Sequence, residues 1–216
     1  MLTLFLTFAP PLVILAFVFL SDRFREPIEM VLSTFALGFL LILPAGILNE
    51  FLIFSKDNPS DYVFLAGLTE ETLKFAALFF FIRKRVEFDE PMDAIVYGTT
   101  ISLGFAAYEN YEYVFLYNED LSSLAVAGIR SITAIPLHAC CGILMGYNFG
   151  LYFLIKSKKF LFRSIAIPML LHSSYNYVDN ILLIFVIIIL AVITCLYLHK
   201  GFVHEQRNKL SEREFN

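Results

Sequence analysis

Long apolar runs alternate with short polar breaks along this chain, at about 2–20, 28–54, 62–82, 92–117, 125–155, 162–177 and 181–198. A helix rises about 1.5 Å per residue, so roughly 20 apolar residues cross the ~30 Å hydrocarbon core of a bilayer. The pattern therefore predicts an all-α, polytopic membrane bundle of about seven transmembrane helices. Its breaks are too short to house a soluble domain, and no repeat or low-complexity segment is detectable. The expected organisation is one helical membrane domain over 1–199 followed by a short charged tail over 200–216. The run at 162–177 is the shortest and contains Pro168, tolerable in a span only where neighbouring helices cover the missing amide proton.

Composition agrees with the pattern: 58 % of residues are hydrophobic, 24 are phenylalanine and 17 % are charged. The mean hydropathy is +0.71. The basic residues lie asymmetrically. Arg23 and Arg25, then Arg83, Lys84 and Arg85, then Lys156, Lys158, Lys159 and Arg163, then Lys200, Arg207, Lys209 and Arg213 follow alternate runs, whereas the opposite side carries Lys56 and Arg130. Positive charge stays inside, which predicts a cytoplasmic C-terminus and an external N-terminus. No basic stripe points to nucleic acid. The first run lacks a charged leader and a small-x-small cleavage site, so it reads as a retained anchor. Cys140, Cys141 and Cys195 lie within runs and read as packed thiols.

Buried charge changes the picture more than composition does. Counted from the outer boundaries, Glu70 and Glu71 lie about 14 Å deep, Glu109 and His138 about 12 Å, and His172 about 10 Å. Four runs thus carry ionisable groups to one level in the outer half of the membrane. Helical spacing places Lys74 against either Glu70 or Glu71, the partner an intramembrane lysine needs. Phe105 with Glu109, and His172 with Asn176, repeat the i, i+4 relation. His138 shares a ridge with Gly142, Gly146 and Gly150, small residues that admit a close helix and turn the histidine inward.

Each element also has a plain structural reading. The glutamates and Lys74 make an internal salt bridge, His138 a core histidine, and His172 with Asn176 a packing pair. Asp89, Glu90 and Asp93 read as a solvated helix start favoured by the dipole. Convergence at one depth favours a site. Two hydrolytic chemistries fit it. In one, His138 and His172 with Glu109, or with one of the pair, bind a zinc-like ion while another glutamate deprotonates bound water. In the other, a buried glutamate activates water directly while histidine and asparagine stabilise the oxyanion. No H-E-x-x-H motif is present to choose between them.

The motifs Glu70-Glu71-Thr72-Leu73-Lys74, Phe88-Asp89-Glu90-Pro91-Met92-Asp93 with Tyr97-Gly98, Ser102-Leu103-Gly104-Phe105 with Glu109-Asn110, His138-Ala139, and His172-Ser173-Ser174-Tyr175-Asn176 resemble those of the PrsW family of intramembrane proteases. The likeness runs from Ala9-Pro10 to His172. More distantly, the chain resembles the CAAX prenyl endopeptidase and bacteriocin-processing superfamily, whose last motif is His-x-x-x-Asn/Asp. The resemblance implies catalytic roles for Glu70, Glu71, Glu109, His138, His172 and Asn176, with Lys74, Phe105, Asn110 and Asp93 in support. It further implies a bacterial cytoplasmic-membrane protease that cuts a single-pass anti-sigma factor on its extracytoplasmic side, customarily with zinc. Asparagine at 176, where PrsW proteins can carry aspartate, favours a donor role over metal ligation. Two other classes compete. A proton- or cation-coupled transporter also needs carboxylates at depth, but favours an internal repeat with broken helices. A non-catalytic scaffold or peptide-binding protein leaves the glutamate pair dispensable.

Overall fold

The computed structural model describes residues 1–117 and 121–214, with side chains as far as Gln206. Its described residues form helices and connecting turns: α1 (Leu2–Ser21), α2 (Ile28–Leu40), α3 (Ile42–Asn49), α4 (Leu65–Ala77), α5 (Pro91–Phe115), α6 (Ser123–Ile132), α7 (Ala134–Ile155), α8 (Lys158–Tyr177) and α9 (Ile181–Glu214). Short π-helical turns, Glu50–Phe54 and Leu78–Ile82, extend α3 and α4. Among the described residues, four segments are long and apolar enough to cross a membrane: Leu2–Ser21, Ile28–Phe54, Ser123–Ile155 and Ile181–Gln206. The helices α4, α5 and α8 carry the polar residues of the interior, which lowers their hydropathy below that of a lipid-facing span. Helix α9 runs on through the segment read as a tail, and the side chains of Arg207, Lys209 and Arg213 lie outside the described residues.

Two of the apolar runs are broken in the same way. The amide missing at Pro44 frees the carbonyl of Leu40, and the chain turns at Leu41 between α2 and α3. Pro136 likewise frees the carbonyl of Ile132. Thr133 there leaves helical geometry at φ −122°, ψ −75°, separating α6 from α7. Helix α1 contains Pro10 and Pro11, which free the carbonyls of Leu6 and Thr7. Both carbonyls are recovered across the interface, Leu6 by the hydroxyl of Ser131 at 3.0 Å and Thr7 by the amide of Asn110 at 2.8 Å. The prolines thereby fasten α1 to α5 and α6.

Helix α5 is the axis of the bundle, buried along most of its length between α7, α2 and α1. Small residues allow that contact. A Cβ on Gly146 would lie 2.1 Å from the carbonyl oxygen of Ala94, and one on Gly142 2.7 Å from that of Gly98, so only glycine fits there. Helix α8 packs on α7 and α4, and α9 closes the outer side of α7. Phe51, Phe81, Leu182 and Leu190 project from the periphery, as lipid-facing side chains do. Cys140, Cys141 and Cys195 are buried free thiols.

The start of α5 differs from the expected solvated helix end. Asp93 is fully buried, and its carboxylate accepts the backbone amides of Asp89 at 2.8 Å and Glu90 at 2.7 Å. The 22–27 connection and α9 cover this end, which the local sequence does not reveal.

Candidate active site

Glu70, Glu71 and Lys74 share the inward face of α4 and are buried to 4 %, 0 % and 0 % exposure. Such burial demands partners. Lys74 Nζ donates to Glu71 Oε1 at 2.7 Å and lies 3.6 Å from Glu70 Oε2. It also donates to His138 Nδ1 at 3.1 Å and sits 4.1 Å from the centre of the Phe105 ring, a cation–π contact that helps hold an ammonium away from water. His138 descends from α7, His172 from α8, and their rings meet edge to face at 4.9 Å.

These contacts assign the protons. An ammonium can only donate, so Nδ1 of His138 carries a lone pair, and its Nε2–H donates to Glu109 Oε2 at 2.9 Å. Nδ1–H of His172 donates to Glu71 Oε1 at 3.0 Å. Its remaining nitrogen, Nε2, faces Glu70 Oε2 across 3.9 Å. That oxygen is buried without a hydrogen-bond partner, as is Glu71 Oε2. The reactive feature of the cluster is this pair of atoms on Glu70 and His172 that face each other without a hydrogen bond, held from behind by Glu71 and Lys74.

Two residues that the sequence pattern did not mark complete the cluster. Arg130, expected at the outer boundary of the run at 125–155, turns inward from α6 ahead of the break at Thr133. Its guanidinium donates to Glu109 Oε2 at 2.7 Å and to Asn110 Oδ1 at 2.8 Å. Asn49, at the end of α3, contacts Glu70 Oε1 at 3.4 Å and accepts from Thr69 Oγ1 at 2.5 Å. Hydropathy marks neither: the placement of Arg130 depends on the break at Thr133, three residues before Pro136, and Asn49 lies within an apolar run.

Glu70, Glu71, Lys74, Glu109, His138 and His172 therefore form one cluster, with Phe105 beneath it and Asn110 bracing it. Asn176, one turn beyond His172, donates to the carbonyl of Val63 at 3.3 Å and touches none of the acids. Asp93 belongs elsewhere: sixteen residues of α5 separate it from Glu109, about 24 Å along the helix axis. Three carboxylates face two permanent cations, Lys74 and Arg130, so one negative charge is left for a proton or a metal to balance. Glu70, His138 and His172 each offer a donor atom, all within 4.8 Å of one another, and Glu71, Cys141 and His172 do the same. Glu70 Oε2 and His172 Nε2 are free to hold a zinc ion, and His138 would join them through Nδ1 only once Lys74 Nζ, which now occupies that lone pair, moves away. Glu109 does not join them and instead holds His138 from the far side.

A profile of the PrsW family intramembrane metalloprotease matches residues 26–198. The Protease PrsW of Bacillus subtilis (strain 168) is 32 % identical over 179 residues, 79 % of this chain and 79 % of its own length. That of Oceanobacillus iheyensis is 34 % identical over 177 residues, again 79 % of each. The Clostridioides difficile (strain 630) protein is 33 % identical over 205 residues, 87 % of this chain and 86 % of its own. No solved structure matches.

Proposed function

Because the chain belongs to the PrsW family of intramembrane metalloproteases, we propose that it hydrolyses one peptide bond of a single-pass anti-sigma factor near the extracytoplasmic face of a bacterial cytoplasmic membrane. The observation that carries this reading is the buried pairing of Glu70 Oε2 with His172 Nε2, 3.9 Å apart and without a hydrogen bond between them. The two atoms are too close for a water between them, but a water entering beside them with the substrate can hydrogen-bond both the carboxylate oxygen and the imidazole nitrogen.

Glu70 takes a proton from that water, and the hydroxide adds to the scissile carbonyl. The proton then passes from Glu70 to the departing amine as the tetrahedral adduct collapses. Glu71 fixes the tautomer of His172 by accepting its Nδ1–H, and Lys74 pairs with Glu71 in an interior where an unpaired carboxylate is costly. Arg130 and Glu109 orient His138 in the same manner. Asn176 supplies an amide donor one turn beyond His172, in reach of an oxyanion once the substrate opens the α4–α8 contact. Zinc, were it held by Glu70 and His172 with His138 released from Lys74, would supply polarisation of the carbonyl and acidification of the water, and Glu70 would then serve as ligand rather than as base. Glu70 is required with the ion or without it.

Basic residues concentrated on one side support a cytoplasmic C-terminus and an external N-terminus in a multi-pass topology. The test is reconstitution into liposomes with a single-span anti-sigma peptide, followed by mass spectrometry of the fragments. A cut on the extracytoplasmic side of the span is expected. An intact peptide, or a cut on the opposite side, would contradict the reading.

A further inference from the structure

At the far end of α5 from the glutamates lies a second buried acidic constellation. Asp22 ends α1, Glu26 lies in the connection to α2, and Asp93 occupies the first turn of α5. Their exposures are 2 %, 6 % and 0 %. One carboxylate oxygen from each lies within 4.8 Å of those of the other two. Among the described residues, no lysine, arginine or histidine nitrogen makes an ion pair with any of them; Arg25 acts on Asp22 only at longer range.

The carboxylates are anchored from outside the cluster. Asp22 Oδ1 accepts from Gln206 Nε2 of α9 at 2.9 Å and from the backbone amide of Phe24 at 3.1 Å. Asp93 Oδ2 accepts the amides of Asp89 and Glu90, and Glu26 Oε2 accepts the Tyr97 hydroxyl. The second oxygens of Asp22 and Asp93, Oδ2 and Oδ1, are buried and meet no donor, and the Glu26 carboxyl lies within hydrogen-bonding reach of that of Asp93. Anchoring thus spends one oxygen of each aspartate and leaves the other facing no donor, so that the three acids must share either protons or a cation. Packing alone does not account for that arrangement, because a buried, unpaired carboxylate oxygen costs more than any apolar replacement.

We propose that Asp22, Glu26 and Asp93 form a binding site for a hard divalent cation, of the Mg²⁺ or Ca²⁺ class, distinct from the histidine-containing active site. The donors are all oxygens, the preference of hard cations, and no nitrogen or sulfur ligand of the kind zinc favours is among them. Bound there, the ion ties the end of α1, the 22–27 connection and the start of α5 together, with α9 attached through Gln206. Water fills the remaining coordination positions.

The probes are Mg²⁺, Ca²⁺ and Tb³⁺, added to the full chain in detergent after chelation. Tb³⁺ emission is excited through tyrosine, since the chain has no tryptophan and Tyr97 touches Glu26. Millimolar Mg²⁺ or Ca²⁺ is expected to raise the melting temperature and to displace Tb³⁺, because a ligand bound only by the native state stabilises it. Glu26→Gln and Asp22→Asn should each weaken Tb³⁺ binding by about tenfold or more, the scale set by loss of a metal-site partner. Glu70→Gln should leave it unchanged. If the carboxyl groups instead neutralise one another by holding protons, the cations shift nothing in the wild type, which overturns the proposal without recourse to any variant. Equal Tb³⁺ binding by wild type, Glu26→Gln and Asp22→Asn overturns it as well.

Discussion

Arg130 reaches Glu109 and Asn110 with two different nitrogens, a fork that a lysine cannot reproduce. Arg130→Lys is therefore expected to lower turnover by about 10–100-fold, as loss of an orienting partner does, while insertion and expression persist; full activity would show that Glu109 needs no such brace. Asn176→Asp should cost on the order of 10²-fold, the effect of one lost oxyanion donor. A thermal melt on the same sample separates that loss from the bond to Val63. At this scale much of the cluster is legible in sequence, for a physical reason: the i, i+3 and i, i+4 relations of Glu70, Glu71 and Lys74 fix their common face before any tertiary contact is known. Arg130 is not legible, since its position depends on a chain reversal at Thr133 within an apolar run. Asn49 depends on the path of α3, which hydropathy does not report.

The elements depend on close backbone approach and on prolines. Gly146→Ala places a methyl against the Ala94 carbonyl and should destabilise the protein by about 1–3 kcal/mol, the range for overpacking. Gly128→Ala, where nothing lies within 4 Å, should not. Equal melting temperatures for the two variants would contradict the α5–α7 packing. Apolar runs mark where helices occur, yet the runs at 28–54 and 125–155 each divide in two. Pro44 and Pro136 were visible; what they would do was not, because a proline inside a membrane helix can kink, break or simply persist, according to which neighbour recovers the freed carbonyl. In α1 the recovery by Asn110 and Ser131 keeps the helix continuous across Pro10 and Pro11. The buried start of α5 was similarly hidden, since the residues that cover Asp93 come from the 22–27 connection and from the distant α9.

For the whole molecule, the pairing of Arg130 with Glu109 leaves Lys56 as the one described basic side chain on the proposed external side that is not committed to the interior. A reporter fused after Asn216 should accordingly read as cytoplasmic and one inserted near Asp61 as external; the reverse would overturn the orientation. The active-site cluster draws on α4, α5, α6, α7 and α8, so it exists only when the bundle is assembled. Its central claim is that the carboxylate pair of α4 performs hydrolysis rather than merely neutralising Lys74. The most direct measurement is turnover of a single-span substrate by purified wild type, Glu70→Gln and Glu71→Gln, each first shown to melt cooperatively. An amide preserves shape but cannot take a proton from water, so a loss on the order of 10²–10⁴-fold is predicted for Glu70→Gln. A comparable loss for Glu71→Gln is expected through misorientation of His172. Turnover near the wild-type rate in both variants would contradict the account.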